Sequence, residues 1–331
     1  MFPISFARSL VLSALLFAAT LVQAAPKDTI PCPADPFLDP KLDHCNPLRY
    51  IASNVLTAVA FALITLVALT QTFFVRKYGA KFMLSMVIGA YTFAFGIGTR
   101  FGLHVHPDSK GIYIIEYLFV VLSPCAFIAA EYVLLGRLAR YLGCDKYLMV
   151  SPRRITIVFI SSDITTFLVQ AAGGSVSISS NTLSLAQTGS NIFLAGLVLQ
   201  LASFLTFTCI FFVFIHRVRT REPATWTMNA SGKWHQDWRT LAGAMVFSFL
   251  GILIRSVYRV AELSQGFDGH LATTEPFFYG LDTLPLFIAV ATYVVCWPGR
   301  FIGDGTPPDL AIPATKEAHS IESTPAEQKR L

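Results

Sequence analysis

Seven runs of apolar residues, separated by short polar loops, fill the chain between residues 50 and 297. Each run is long enough to cross a bilayer as a helix, because about 20 mostly apolar residues span the hydrocarbon core. The pattern predicts spans over 50–75, 82–103, 112–136, 155–172, 191–215, 241–263 and 277–297. Short connections make consecutive helices antiparallel neighbours. The expected fold class is all-α: a polytopic membrane protein with seven transmembrane helices in one domain over 50–300.

The flanks differ from the spans. Arg8, the apolar stretch 10–22 and Val22-Gln23-Ala24 have the order of a secretory signal peptide, so 1–24 is expected to be removed. Residues 25–49 then form a polar, proline-rich extracellular segment containing Cys32 and Cys45. Thiols delivered outside the cell meet an oxidising compartment, which makes a Cys32–Cys45 disulfide the expectation. Residues 301–331, rich in Pro, Thr, Glu and Lys, have no apolar period and read as a disordered cytoplasmic tail.

Composition agrees with a membrane protein and adds an orientation. Apolar residues make up 54% of the chain and charged residues 14%, against roughly 25% charged in soluble domains. The net charge of +5 lies in loops rather than on one helix face, which argues against nucleic-acid binding. Basic residues crowd the loops after spans one, three and five, including Arg76, Lys77, Arg137, Arg140, Arg153, Arg154, Arg217 and Arg219. The loop after span two has only Lys110, and 173–190 has none. That asymmetry places the N-terminus outside and the C-terminus in the cytoplasm, with the basic loops facing the anionic cytoplasmic leaflet. Tyr50, Trp238 and Trp297 sit near span ends, as interfacial anchors do.

Charges inside the spans are the candidate chemistry, because each costs about 3 kcal/mol or more unless paired or wetted. Span six carries Arg255, Arg259 and Glu262 within a narrow arc of one helical face. Asp282 of span seven, Glu116 of span three and Arg100 of span two fall at a similar depth, with Glu275 just above. Opposite charges at that level should neutralise one another. The layer is then either a structural ion-pair network or the site of an amphiphile's head group, and the two roles are compatible. Span four adds Asp163, Thr166 and Gln170 on one face. Asp163 is either inter-helix glue or a carboxylate that titrates or binds a head group. Pro124 and Pro285 should kink spans three and seven or free a backbone carbonyl.

Enzymatic signatures are missing from the sequence. The histidines lie in loops, termini or span ends rather than at the helical spacing of a metal site. There is no Gly-x-Ser-x-Gly elbow and no Walker phosphate loop. No catalytic residue, metal or cofactor is expected.

The series Asp163-Ile-Thr-Thr-Phe-Leu-Val-Gln170-Ala-Ala-Gly173-Gly174, Arg255-Ser-Val-Tyr258-Arg259-Val-Ala-Glu262, Gly266, Gly269, Glu275 and Tyr279-Gly-Leu-Asp282 resembles the fungal lipid-translocating exporter family. Glu116, Pro124, Tyr132 and Arg137 fit it too. The resemblance implies a plasma-membrane protein of stress resistance that exports sphingoid long-chain bases or sterol-like toxic amphiphiles such as 7-aminocholesterol. Its ligand-binding or translocation residues would be Glu116, Asp163, Gln170, Arg255, Arg259, Glu262, Glu275 and Asp282. A seven-span receptor or sensor of a lipid-like ligand is the alternative, since an outer N-terminus and a disulfide-linked ectodomain suit it equally.

The orientation has a direct check. Asn229-Ala230-Ser231 matches a glycosylation acceptor, but the charge asymmetry puts it in a cytoplasmic loop. Endoglycosidase treatment of the protein from a secreting host should leave its mobility unchanged, and a glycan on Asn229 would reverse the orientation.

Overall fold

The computed structural model describes residues 35–43, 45–179, 183–227, 237–266 and 269–302. The stretch 1–24 read as a signal peptide, Cys32, Asn229 and residues 303–331 lie outside the described residues. Among those described, the chain is helical with no strand. Seven helical segments are long and apolar enough to cross a membrane: Asn54–Tyr78, Lys81–Val105, Lys110–Tyr141, Pro152–Ser177, Ser184–Arg221, Trp238–Ser264 and Glu275–Phe301.

Span three is the central column, with 89% of its most apolar stretch buried against 22% for span one. Its neighbours close around it through aromatic contacts. Tyr132 of span three packs edge-on against Phe207 of span five, with ring centroids 4.5 Å apart. Phe159 of span four meets both rings, and Phe249 of span six meets Phe204, Phe207 and Phe211. Such edge-to-face pairs add about 1 kcal/mol each beyond area burial. In lipid, where burial of apolar area drives little, that packing counts for more.

Spans alternate in direction, so the bundle has two chemically different ends. At one end Ser53, before span one, donates its backbone N–H to Glu275 at the start of span seven. There too Arg100, near the end of span two, pairs with Glu116 at the start of span three. The other end holds the basic loops. Arg300 lies over the rings of Phe74 and Tyr78, Arg137 over Phe82, and Lys146 pairs with Glu222 at 3.1 Å.

Two local expectations change. Trp238 and Trp297 are buried, at 1% and 0% exposure, so they are core residues rather than membrane-interface anchors. Trp238 packs on Trp226 and donates its indole N–H to the Thr225 carbonyl. Gly98 abuts Phe61 of span one and Gly102 abuts Ile112 of span three. Span four does not stop at residue 172, since its helix runs on through Gly173 and Gly174 to Ser179. Instead Gly173 allows a close crossing with span five, where a Cβ on Gly173 would lie 2.5 Å from the Phe193 nitrogen.

Gly189 and Gly196 complete that crossing from the span-five side. A Cβ on Gly189 would fall 2.3 Å from the Ser177 nitrogen, and one on Gly196 2.6 Å from Gln170 Cγ. Small residues let helix backbones approach in lipid, which explains why spans four and five form the most extensive pair in the bundle.

Gly189→Val should therefore separate spans four and five and cost about 2 kcal/mol, the usual penalty for overpacking. Thermal melts of the detergent-solubilised protein should show it. Gly243→Ala, where a Cβ meets nothing within 4 Å, should leave the melt unchanged.

Candidate functional site

Two prolines and one irregular turn shape the site. Pro124 sits inside the unbroken helix Lys110–Tyr141. Lacking an N–H, it leaves the carbonyl of Val120 without its helical donor. Arg255 of span six takes up that oxygen, its Nη2 donating at 2.7 Å. In span seven, Phe278–Thr283 forms a π-helical turn just before Pro285. Such turns re-aim side chains and recur at functional sites. Here the turn includes Asp282, which is fully buried.

Asp282 is the hub of the charged layer. Its Oδ1 accepts from Arg259 Nε and lies 3.0 Å from Arg255 Nε. Arg259 also pairs with Glu262 at 3.0 Å. A second set lies beside it: Arg100 Nη1 donates to Glu116 at 2.7 Å, and its Nη2 lies 3.5 Å from Glu275 and donates to the Tyr50 hydroxyl at 2.8 Å. Phe278 stands between the two sets, with its ring 4.2 Å from the Arg100 guanidinium and 5.7 Å from that of Arg259. Guanidinium groups stack on aromatic faces and pair with carboxylates at once. One ring therefore joins two ion-pair clusters.

A cleft of about 580 Å³, including its open mouth, enters this layer. Arg100, Glu116, Arg259 and Glu262 line it, together with Tyr113, Tyr117 and Phe278. Arg100 Nε and Arg259 Nη2 are buried there without a hydrogen-bond partner, as are few groups in a finished structure. The segment before span one closes one wall through Pro47, Leu48 and Tyr50. It is held by the Tyr50–Arg100 bond, by Glu275 accepting from Ser53 and by a 2.7 Å contact of His104 with the Ala52 carbonyl. Burial pushes the Tyr50 phenol up to about 12, so it stays neutral. Cys45 is disulfide-bonded, and Cys32, its expected partner, lies outside the described residues.

The structure thus brings together Arg100, Glu116, Arg255, Arg259, Glu262, Glu275 and Asp282. Asp163 and Gln170 are elsewhere, against spans three and five. The Asp163 carboxyl faces the Tyr132 hydroxyl, yet neither carboxylate oxygen nor that hydroxyl closes a well-formed hydrogen bond. Gln170 donates to Gln200 at 2.8 Å, and Gln200 donates to the Cys125 sulfur at 3.2 Å. The tyrosines of the cleft escaped the sequence reading, although Tyr113, Glu116 and Tyr117 share a helical face by spacing.

A family model described as RTA1 like protein matches residues 86–304. Protein RTA1 of Saccharomyces cerevisiae is 31% identical over 227 residues, which cover 67% of this chain and 69% of that protein. Protoporphyrin uptake protein 1 of the same yeast is 28% identical over 205 residues, 60% of this chain and 62% of that one. The yeast sphingoid long-chain base transporter RSB1 is 26% identical over 304 residues, 82% of this chain and 77% of the transporter. No solved structure matches the chain significantly.

Removing the hub charge should cost more than removing one at the rim. Asp282→Asn strands Arg255 and Arg259 in a dry layer and should destabilise by about 3 kcal/mol. Glu275→Gln, at a partly exposed 3.5 Å contact, should cost less than about 1 kcal/mol. Parallel melts in one detergent would measure both, and equal losses would contradict the hub assignment.

Proposed function

This chain belongs to the RTA1-like protein family, and we propose that it is a translocator of sphingoid bases or similar cationic amphiphiles, taking the head group into the charged layer and releasing it toward the outer leaflet. The relatives named as transporter or uptake protein favour movement of a lipid-like molecule over catalysis. They leave the cargo open, since their names cover both a sphingoid base and a porphyrin.

Charge balance in the layer carries the choice of a cationic head group. Three guanidinium groups, of Arg100, Arg255 and Arg259, meet four carboxylates, of Glu116, Glu262, Glu275 and Asp282. With all ionised, one negative charge is left unmatched. Glu262 is the carboxylate best placed to offer it: it lines the cleft, and its cation, Arg259, is shared with Asp282. An ammonium entering beside Glu262 would complete the balance at a depth where an unmatched charge is costly. Its hydroxyls could accept from the unpartnered nitrogens of Arg100 and Arg259. The tail would remain among lipid-facing side chains, so entry from the side of the bundle suits the ligand better than entry from water.

Asp163 stands apart from this layer with no cation among its contacts. In the proposed cycle it exchanges a proton to couple the step, since a buried carboxyl without a counter-ion is most readily tolerated when neutral. The proposed location is the plasma membrane, with the basic end against the anionic inner leaflet. Sensing by a receptor is the competing use of the same cleft, favoured by the way the extramembrane segment at residues 47–50 walls it.

Reconstitution in vesicles separates the two. A labelled long-chain base should change leaflets faster with the protein than in empty vesicles, and Glu262→Gln should slow it about tenfold, the effect of losing about 1.4 kcal/mol of head-group interaction. Binding of the base with a flip rate equal to that of empty vesicles would refute translocation and support sensing.

A further inference from the structure

Beyond the cleft, a second buried carboxyl has partners unlike those of the charged layer. Glu131 lies on span three 15 residues after Glu116, so about 22 Å further along the helix axis. It is fully buried. Its Oε1 lies 2.6 Å from Ser248 Oγ of span six and 2.8 Å from the Tyr293 hydroxyl of span seven, and its Oε2 lies 2.7 Å from the same hydroxyl. Among the described residues no lysine, arginine or histidine acts on it.

The arrangement suits a group that gains and loses a proton. When the carboxyl is ionised, Ser248 donates to Oε1 and Tyr293 to Oε2, so both oxygens are satisfied. When a proton adds to Oε2, the acid can donate to the Tyr293 hydroxyl, Ser248 keeps its bond to Oε1, and the Tyr293 proton can turn to Oε1, 2.8 Å away. Rotating one hydroxyl interconverts the patterns without leaving a carboxyl oxygen unpaired. That matters because an orphaned group costs about 1–3 kcal/mol. Asp163 has no such arrangement: it faces the Tyr132 hydroxyl, but neither of its oxygens closes a well-formed hydrogen bond. The other titratable groups nearby are Cys296, one turn beyond Tyr293, and Tyr132, next in the chain to Glu131 but turned toward Asp163.

We propose that Glu131, Ser248 and Tyr293 form an internal proton-binding site, separate from the head-group layer, whose occupancy is read directly by spans three, six and seven. The site is defined by protein groups alone and does not depend on which amphiphile is carried.

Infrared difference spectra of the purified protein in lipid nanodiscs, recorded across a pH ramp without substrate, test it. The wild-type protein should show the carbonyl stretch of a protonated carboxyl that rises and falls with pH. Glu131→Gln should abolish that band, Asp163→Asn should retain it, and Tyr293→Phe should move it to higher frequency by removing one hydrogen bond. A carboxyl region unchanged by Glu131→Gln would overturn the proposal. If Glu131→Gln does not fold, an unmoved band in Tyr293→Phe would overturn it equally, since that variant keeps the carboxyl.

Discussion

One fully buried carboxylate, Asp282, holds two arginines of the neighbouring helix inside the membrane-spanning bundle. A lone guanidinium at that depth would be costly, and two on one helical face would repel one another as well. Span six, with Arg255 and Arg259 one turn apart, can be buried only where a carboxylate meets both. The π-helical turn of span seven supplies that carboxylate. The orientation of span seven against span six, and the close approach of Gly251 to the Pro285 carbonyl, follow from the need to keep this contact closed.

The same pair of arginines fixes the rest of the layer. Arg255 reaches past Asp282 to the Val120 carbonyl that Pro124 sets free, so a bond missing inside span three becomes a hydrogen bond to span six. Arg259 reaches the other way, to Glu262 and the cleft. Through Phe278, the Arg100 cluster is joined to it, and through Tyr50 the extramembrane segment is attached to Arg100. Spans two, three, six and seven are therefore bound by charge and hydrogen bonding. Spans four and five attach differently, by glycine-mediated contact with each other and aromatic packing on span three.

Two kinds of buried acid result. Carboxylates in the layer near one end contact guanidinium groups, four acids sharing three arginines. Asp163 on span four and Glu131 on the central helix face only neutral groups. A bundle that needed only stability would gain little from such groups, because an apolar residue of similar volume is often as good. In the proposed cycle their presence separates head-group recognition, near one end, from protonation, further inside.

Most of the spans, their alternation and the depth of Arg100, Glu116, Arg255, Arg259, Glu262 and Asp282 were legible in the sequence, because hydrocarbon permits few charges and helical rise converts position into depth. The spacing of Arg255, Arg259 and Glu262 even placed them on one face. What the sequence could not decide was which charges touch. Asp282 owes its position to a π-helical turn that no periodicity announces, and Gly173 marks a helix crossing where the sequence reads as a helix end. Trp238 and Trp297, placed like interfacial anchors, are buried because the segment at 223–227 packs on Trp238 and Phe74 of span one packs on Trp297. Asp163 and Glu131 look alike in sequence, as acids in apolar runs. Only the tertiary structure separates a carboxyl that faces one tyrosine hydroxyl without a well-formed bond from one held by two hydroxyls, because rotation of each helix about its own axis is set by packing and not by the chain's local pattern.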